Sequence, residues 1–169
     1  MHRVDASLAV ALWCALAGAP RPLAAQSARN VASLAGVEGV EVVVEELTAA
    51  QRNLGLSESA LRNDVVTRLR QAGVRVVAQS VACGESPCLY VHVTTTVGDG
   101  ANAHFVHVGV QQMVNLSRDT AFALSVETWR AVGRIGLAPG RETAARVRDA
   151  VRSEVDQFVT AYLDANPRR

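Results

Sequence analysis

Two histidines and two cysteines in the middle of this 169-residue chain are spaced to meet as neighbours. His92 and His107 sit in runs that alternate apolar and polar residues on either side of Gly98-Asp99-Gly100. Neutral imidazole is a common metal ligand, and facing imidazoles repel once protonated. The pair is too small for a stable metal site, which needs three or four ligands, and the pattern puts no carboxylate or thiol in the same row. His104 has the opposite strand parity to His107 and cannot chelate with it from one face. Cys83 and Cys88 close the short segment Cys-Gly-Glu-Ser-Pro-Cys. In an oxidising compartment they pair, and so small a loop stabilises by roughly 2 kcal/mol. Redox-active pairs have the tighter C-x-x-C spacing at a helix start. A structural staple is therefore the reading, with redox chemistry as its alternative, and two thiols alone are too few for zinc.

Other chemistry finds less support. No Gly-x-Ser-x-Gly elbow occurs, and no glycine-rich phosphate loop precedes a helix. Glu45 and Glu46 are adjacent and point to opposite faces of a strand, which suits no acid–base pair. The sequence calls for no catalytic residue and no cofactor.

The elements that must position the histidines are a β-hairpin. Asp99-Gly100 fits a two-residue type I′ turn, in which both central residues take positive φ. Facing positions then set Val93 against Val106, Val91 against Val108 and Leu89 against Val110 on one face. Thr94 meets Phe105 and His92 meets His107 on the other. A one-residue slip would mix the two faces, so the pattern fixes the register. A following strand, Phe122 to Trp129, keeps Phe122, Leu124 and Val126 on the apolar face if its turn is Ser117-Arg118-Asp119. Val114 then faces Phe122, and Trp129 joins the histidines opposite His107. A bulge would send Trp129 into the core instead, and the pattern leaves both open. The outer face so assembled carries Tyr90, His92, Phe105, His107, Met113 and Trp129. Shared apolar residues on a solvated face suggest contact with another chain.

Around the hairpin, Val40 to Leu47 reads as a first strand. Leu61, Val65, Leu69 and Ala72 form one helical stripe, opened by Ser57 or Ser59 as cap and closed by Gly73. Val74 to Ala78 reads as a second strand, reached by a right-handed crossover. Residues 48–55 read as irregular, and 131–140 as loop or edge strand. Ala144, Val147, Val151, Val155, Phe158 and Tyr162 make a long terminal helix from Thr143 to Ala165, stopped by Asn166-Pro167. The order is β-α-β-β-β-β-α: an α+β two-layer sandwich, its sheet mixed and mostly antiparallel, with two helices on one face.

Hydrophobic residues make up 49% and charged residues 20%, which is the composition of a globular domain. A net charge of +1 gives nucleic acid no electrostatic foothold. Residues 1–25 read as a signal peptide, from Arg3 through the apolar run Leu8–Ala19 to the small residues Leu23-Ala24-Ala25. Trp13 before Cys14 does not fit a lipid-anchoring box. No apolar run reaches the length of a membrane span. Residues 26–39 follow as a lead-in, 40–166 as a single domain and 167–169 as a tail.

In this order of elements, the run Val40 to Leu47, the helix Leu61 to Ala72 and the strand Val74 to Ala78 resemble the amino-terminal domain of TolB and the related curli-secretion lipoprotein domain. So do the hairpin through Val106-His107-Val108, the strand ending Glu127-Thr128-Trp129 and the closing helix. The family's Pro-Phe after the first strand is missing, and Glu45-Glu46-Leu47 stands there. Leu61-Arg-Asn-Asp-Val65, Thr128-Trp129 and Val147-Arg-Asp-Ala-Val151 are similar to small uncharacterised exported bacterial proteins. The resemblance implies a non-catalytic binding or assembly accessory domain of the cell envelope. The signal peptide makes it periplasmic or secreted, and the open sheet face or an edge strand suggests an envelope protein or a second copy as partner. The alternative is a small metal-binding protein or enzyme built on His92 and His107.

Overall fold

The computed structural model describes residues 28–78, 83 and 86–167. The expected signal peptide and the last two residues of the tail lie outside them. Helical residues 28–32 form the described part of α1. Then come β1 (Glu41–Val44), α2 (Ala49–Asn53), α3 (Glu58–Gln71), β2 (Cys88–Thr96), β3 (Asn102–Leu116), β4 (Asp119–Arg130), β5 (Arg134–Ala138), a short 3-10 turn and α4 (Thr143–Ala165). The strands form one five-stranded sheet in the order β1-β2-β3-β4, with β5 also paired to β3. Only β1–β2 is parallel among the paired strands; the rest are antiparallel. This is the expected α+β sandwich with an open, mostly antiparallel sheet.

The hairpin has the register its side chains demand. Val91 opposes Val108, Val93 opposes Val106, Leu89 opposes Val110 and His92 opposes His107. Gly100 takes φ +87° in the turn, where a side chain would be strained, but Asp99 does not take positive φ, so the turn is not the expected type I′. The valine face is fully covered. Leu61, Val65 and Leu69 of α3 and Val147, Val151, Val155 and Phe158 of α4 are buried against it. Each large side chain so buried contributes about 1.5–3 kcal/mol. Ser57 caps α3 by accepting from the amide of Ala60 at 3.3 Å, and Gly73 at φ +76° ends it. A bidentate ion pair joins the helices, with Arg148 donating to both oxygens of Asp64 at 2.7 and 2.8 Å.

Several expectations need correction. Val74–Ala78 is not a full strand: among the described residues it pairs at one parallel bridge, Val40 with Val76. The edge of β1 beyond that bridge is taken by a side chain, since Arg62 of α3 donates to the carbonyl of Val42. The fifth strand is β5 instead. Residues 48–55 are not irregular throughout, because α2 begins in a capping box: the Gln51 amide donates to Thr48 Oγ1 at 3.3 Å, and the Thr48 amide donates to Gln51 Oε1 at 2.6 Å. The lead-in is part of the core. Leu34 and Val37 are buried in it, and Tyr162 donates to the Val37 carbonyl at 2.8 Å.

The β3–β4 pairing also differs. Val114 faces Leu124, not Phe122, and Phe122 is exposed. Gln111 pairs with Glu127, but the next pair is Val110 with Trp129. Thr128 is therefore an extra residue, a β-bulge that reverses the side-chain alternation of β4. Trp129 consequently leaves the outer face and is 5% exposed, edge-on to Phe158 with ring centroids 5.4 Å apart. Side chains fix the bulge: Gln112 Nε2 donates to Thr128 Oγ1 at 2.6 Å, and Ser33 Oγ donates to the Thr128 carbonyl at 3.1 Å.

Candidate functional site

The outer face of the sheet is built by the strand positions that the valines leave over. On β1 these are Glu41 and Val43, continued by Glu45; on β2, Cys88, Tyr90 and His92; on β3, Phe105, His107, Gly109 and Met113. Tyr90, His92, Phe105, His107 and Met113 all point to this side, as expected. Trp129 does not.

The face carries carboxylates that the sequence reading did not place there. His92 donates from Nδ1 to Glu45, which lets Nε2 accept from the Thr94 hydroxyl at 2.8 Å. His107 donates from Nε2 to Glu127 Oε2 at 2.5 Å. Glu127 reaches it by lying across Gly109, where a Cβ would meet the carboxylate carbon at 2.9 Å. The result is a row across the sheet: Glu45, His92, His107, Glu127. Glu127 faces outward with or without the bulge at Thr128; what the bulge takes from this face is Trp129. Tyr90 stands beside Glu45, and its phenol is raised above 10.0 by burial first and then by that carboxylate's charge. Both pairs are partly solvated, and each holds its imidazole to its own carboxylate. Their ligand atoms do not converge on one point among the described residues.

Next to this row the face turns apolar. Phe105 stacks on His107 with ring centroids 6.4 Å apart, and across β5 it pairs with Ile135. Ile135 is 80% exposed and Leu137 74% exposed. The alternation Arg134-Ile135-Gly136-Leu137-Ala138 was readable as an edge strand, but its outward side was not. Gly136 explains the choice. A Cβ there would meet the His104 ring at 2.5 Å, so only glycine fits inward and the large residues turn out. Two side chains of α4 hold the turn into β5: Gln157 accepts from the Val132 amide at 3.1 Å and Glu154 accepts from the Gly133 amide at 2.8 Å.

The other end of the outer face is closed. Cys83 and Cys88 form the expected disulfide, with Cα atoms 5.6 Å apart. Cys88 is fully buried, and Glu41, its cross-strand partner, is 2% exposed. Among the described residues this is the one place where three metal-type ligands converge: the ligand atoms of Glu41, Cys83 and Cys88 lie within 4.8 Å of one another. Ser86 and Pro87, just before Cys88, line a cleft of about 460 Å³ with Gly39, Arg75 and Gln112.

No helix among the described residues is long and apolar enough to cross a membrane. No protein-family model matches the chain, and no curated protein matches it. Among solved structures, the chain is similar to a minor lipoprotein from Acinetobacter baumannii, with TM-score 0.40 and 8% identity over 75% of this chain and 90% of that one. A likeness that distant carries no argument about function.

Proposed function

We propose that this chain is a non-catalytic binding or assembly accessory domain of the bacterial cell envelope, and that it docks a partner on the open face at β3 and β5. The observation that carries this reading is the exposed cross-strand pair Phe105–Ile135 with Leu137 beside it, on a sheet face that no helix covers among the described residues. An apolar group presented at a sheet edge is a recurrent way to recruit another chain, because edge amides are free to pair with an added strand. Export is supported by the apolar start of the sequence and by a paired disulfide, which persists in oxidising compartments. A photo-cross-linking residue placed at Ile135 or Leu137 in living cells tests the proposal. The expected result is a discrete cross-linked product from β5 and none from the exposed position Arg152 on α4. Equal capture from both places, or none from β5, would contradict it.

A second reading has an observation of its own. The Glu45–His92 and His107–Glu127 pairs supply mixed nitrogen and oxygen ligands of the kind zinc or copper accepts. It requires His107 to leave Glu127. Stoichiometric zinc or copper in the purified protein, lost in His107→Ala, would establish this reading over the first.

A further inference from the structure

Between β5 and the first turns of α4 lies a cleft of about 330 Å³. The consecutive residues Arg134, Ile135, Gly136 and Leu137 all line it. Side chains alternate along a strand, so a run of neighbours meets one cleft along its backbone edge. That edge has no strand partner among the described residues, because β5 pairs with β3 alone. Arg134 and Arg146 bring positive charge to the cleft. Their carboxylates stand beyond hydrogen-bond range, Glu154 at 3.6 Å from Arg134 and Glu142 at 3.7 Å from Arg146. Asp149, which also lines the cleft, accepts from Arg152 at 2.6 Å. His104 adds a third donor. Its ring lies tip-first over Gly136, where a Cβ would meet Cε1 and Nε2 at 2.5 Å but Cδ2 only at 3.5 Å. Burial keeps this ring neutral at neutral pH, with one proton to place. Nδ1, behind the tip, has no partner among the described residues. A buried N–H is orphaned less readily than a buried acceptor, so the proton belongs on Nε2.

We infer that an extended segment of the partner adds to β5 in this cleft as a further strand, its acidic side chain turned inward to Arg134, Arg146 and His104 Nε2. This names the partner's chemistry for the docking function proposed above and rests on it. An added strand draws affinity from main-chain hydrogen bonds and specificity from pockets for alternate side chains. Outside, the exposed Ile135 and Leu137 offer cross-strand neighbours to two apolar residues. Inside, Gly136 has no side chain, so the His104 tip itself meets the residue that opposes it. A carboxylate there accepts from the imidazole and from the guanidinium groups, and such charge-assisted bonds are the stronger kind. A basic residue in the same place would meet two arginines, which selects against it. The recognised pattern is therefore apolar–acidic–apolar.

The test is selection of a displayed random heptapeptide library on the purified chain, followed by fluorescence anisotropy with the enriched peptide. The enriched peptides should carry Asp or Glu between two apolar residues. Arg146 is 61% exposed, so Arg146→Glu leaves the fold intact. It should weaken the peptide at least roughly tenfold, as like charges do across an interface. A lysine in place of the peptide's acidic residue should recover that loss on the variant. Hydrogen exchange should slow at the amides of residues 134–138 when the peptide binds. No enrichment, enriched peptides without an acidic residue, unchanged affinity in Arg146→Glu or unchanged exchange at β5 each overturns the inference. So does a purified chain that sediments as a dimer dissociated by Leu137→Lys, since the occupant is then a second copy. Cross-linking from Ile135 in cells separates this inference from the docking function. A captured partner that Arg146→Glu leaves undiminished keeps the docking face and removes the acidic strand.

Discussion

Glu41 and Glu45 lie on one strand line and one sheet face, yet they meet opposite conditions. Glu41 is buried against a disulfide. Glu45 is 42% exposed and paired with His92. The same contrast separates the two ends of the whole outer face. At the closed end, Glu41 and Cys88 are buried beside the disulfide. At the open end, imidazoles and carboxylates pair off one to one in partial contact with solvent, beside exposed Phe105, Ile135 and Leu137. Burial, more than residue type, decides which chemistry each end can support. The splayed, exposed set is the one suited to meeting another surface.

The largest test of this contrast concerns Trp129, the residue whose place defines the open end. Trp129→Ala should cost about 3–5 kcal/mol in urea unfolding, as for a buried aromatic. A residue on the open face would change stability by only about 0.5 kcal/mol, and that result would return Trp129 to the outer surface. At the closed end, Cys83→Ser should cost about 2 kcal/mol, the chain-entropy worth of so short a loop.

Histidines three positions apart on β3 sharpen the contrast through pH. His104 faces inward at 5% exposure, and its Nδ1 has no partner among the described residues. Burial holds its imidazole below the ordinary 6.5. Above pH 6.5 both folded and unfolded chains carry it neutral, so it contributes nothing there. As pH falls through 6.5 the unfolded chain takes the proton first, and stability drops until the lower folded-state value is passed. Thermal unfolding should therefore move to lower temperature on acidification from neutrality, and His104→Leu should flatten that limb. Asp64 acts in a separate, lower window. The Arg148 hydrogen bond foremost holds its carboxyl below 3.8, so its contribution is present above that value and is lost as pH falls through the depressed one. The smallest effect belongs to His107. A double-mutant cycle with Glu127 should give a coupling of about 0.2–1 kcal/mol, since the pair is partly solvated. A larger coupling would mean the open end is drier than its exposure indicates.

The hairpin and both long helices were legible because each has a period that matches its burial. Val91 opposite Val108 and the stripe from Val147 to Phe158 leave one consistent arrangement. Three features were not legible, each for a physical reason. The bulge at Thr128 is set by hydrogen bonds from Gln112 and Ser33, which are distant in sequence, so no local pattern announces it. Val74–Ala78 pairs at one bridge, and beyond it Arg62, from another element, meets the Val42 carbonyl. The outward turn of Ile135 and Leu137 follows from the His104 ring filling the inward side at Gly136. α2, by contrast, could have been found from its Thr48-x-x-Gln51 box. The candidate site was half legible: the histidines and Phe105 fell out of the register, while Glu45, Glu127 and Glu41 took their roles from tertiary contacts.

The most direct measurement is hydroxyl-radical footprinting of the chain, purified and again inside living cells, read residue by residue by mass spectrometry. In the purified protein, Phe105, Met113, Ile135 and Leu137 should be modified rapidly, while Trp129 and Phe158 stay protected. In cells, protection should appear at Phe105, Ile135 and Leu137 and leave the exposed side of α4 unchanged. Rapid modification of Trp129 in the purified chain, or unaltered reactivity of the β5 residues in cells, would contradict an open face that meets a partner.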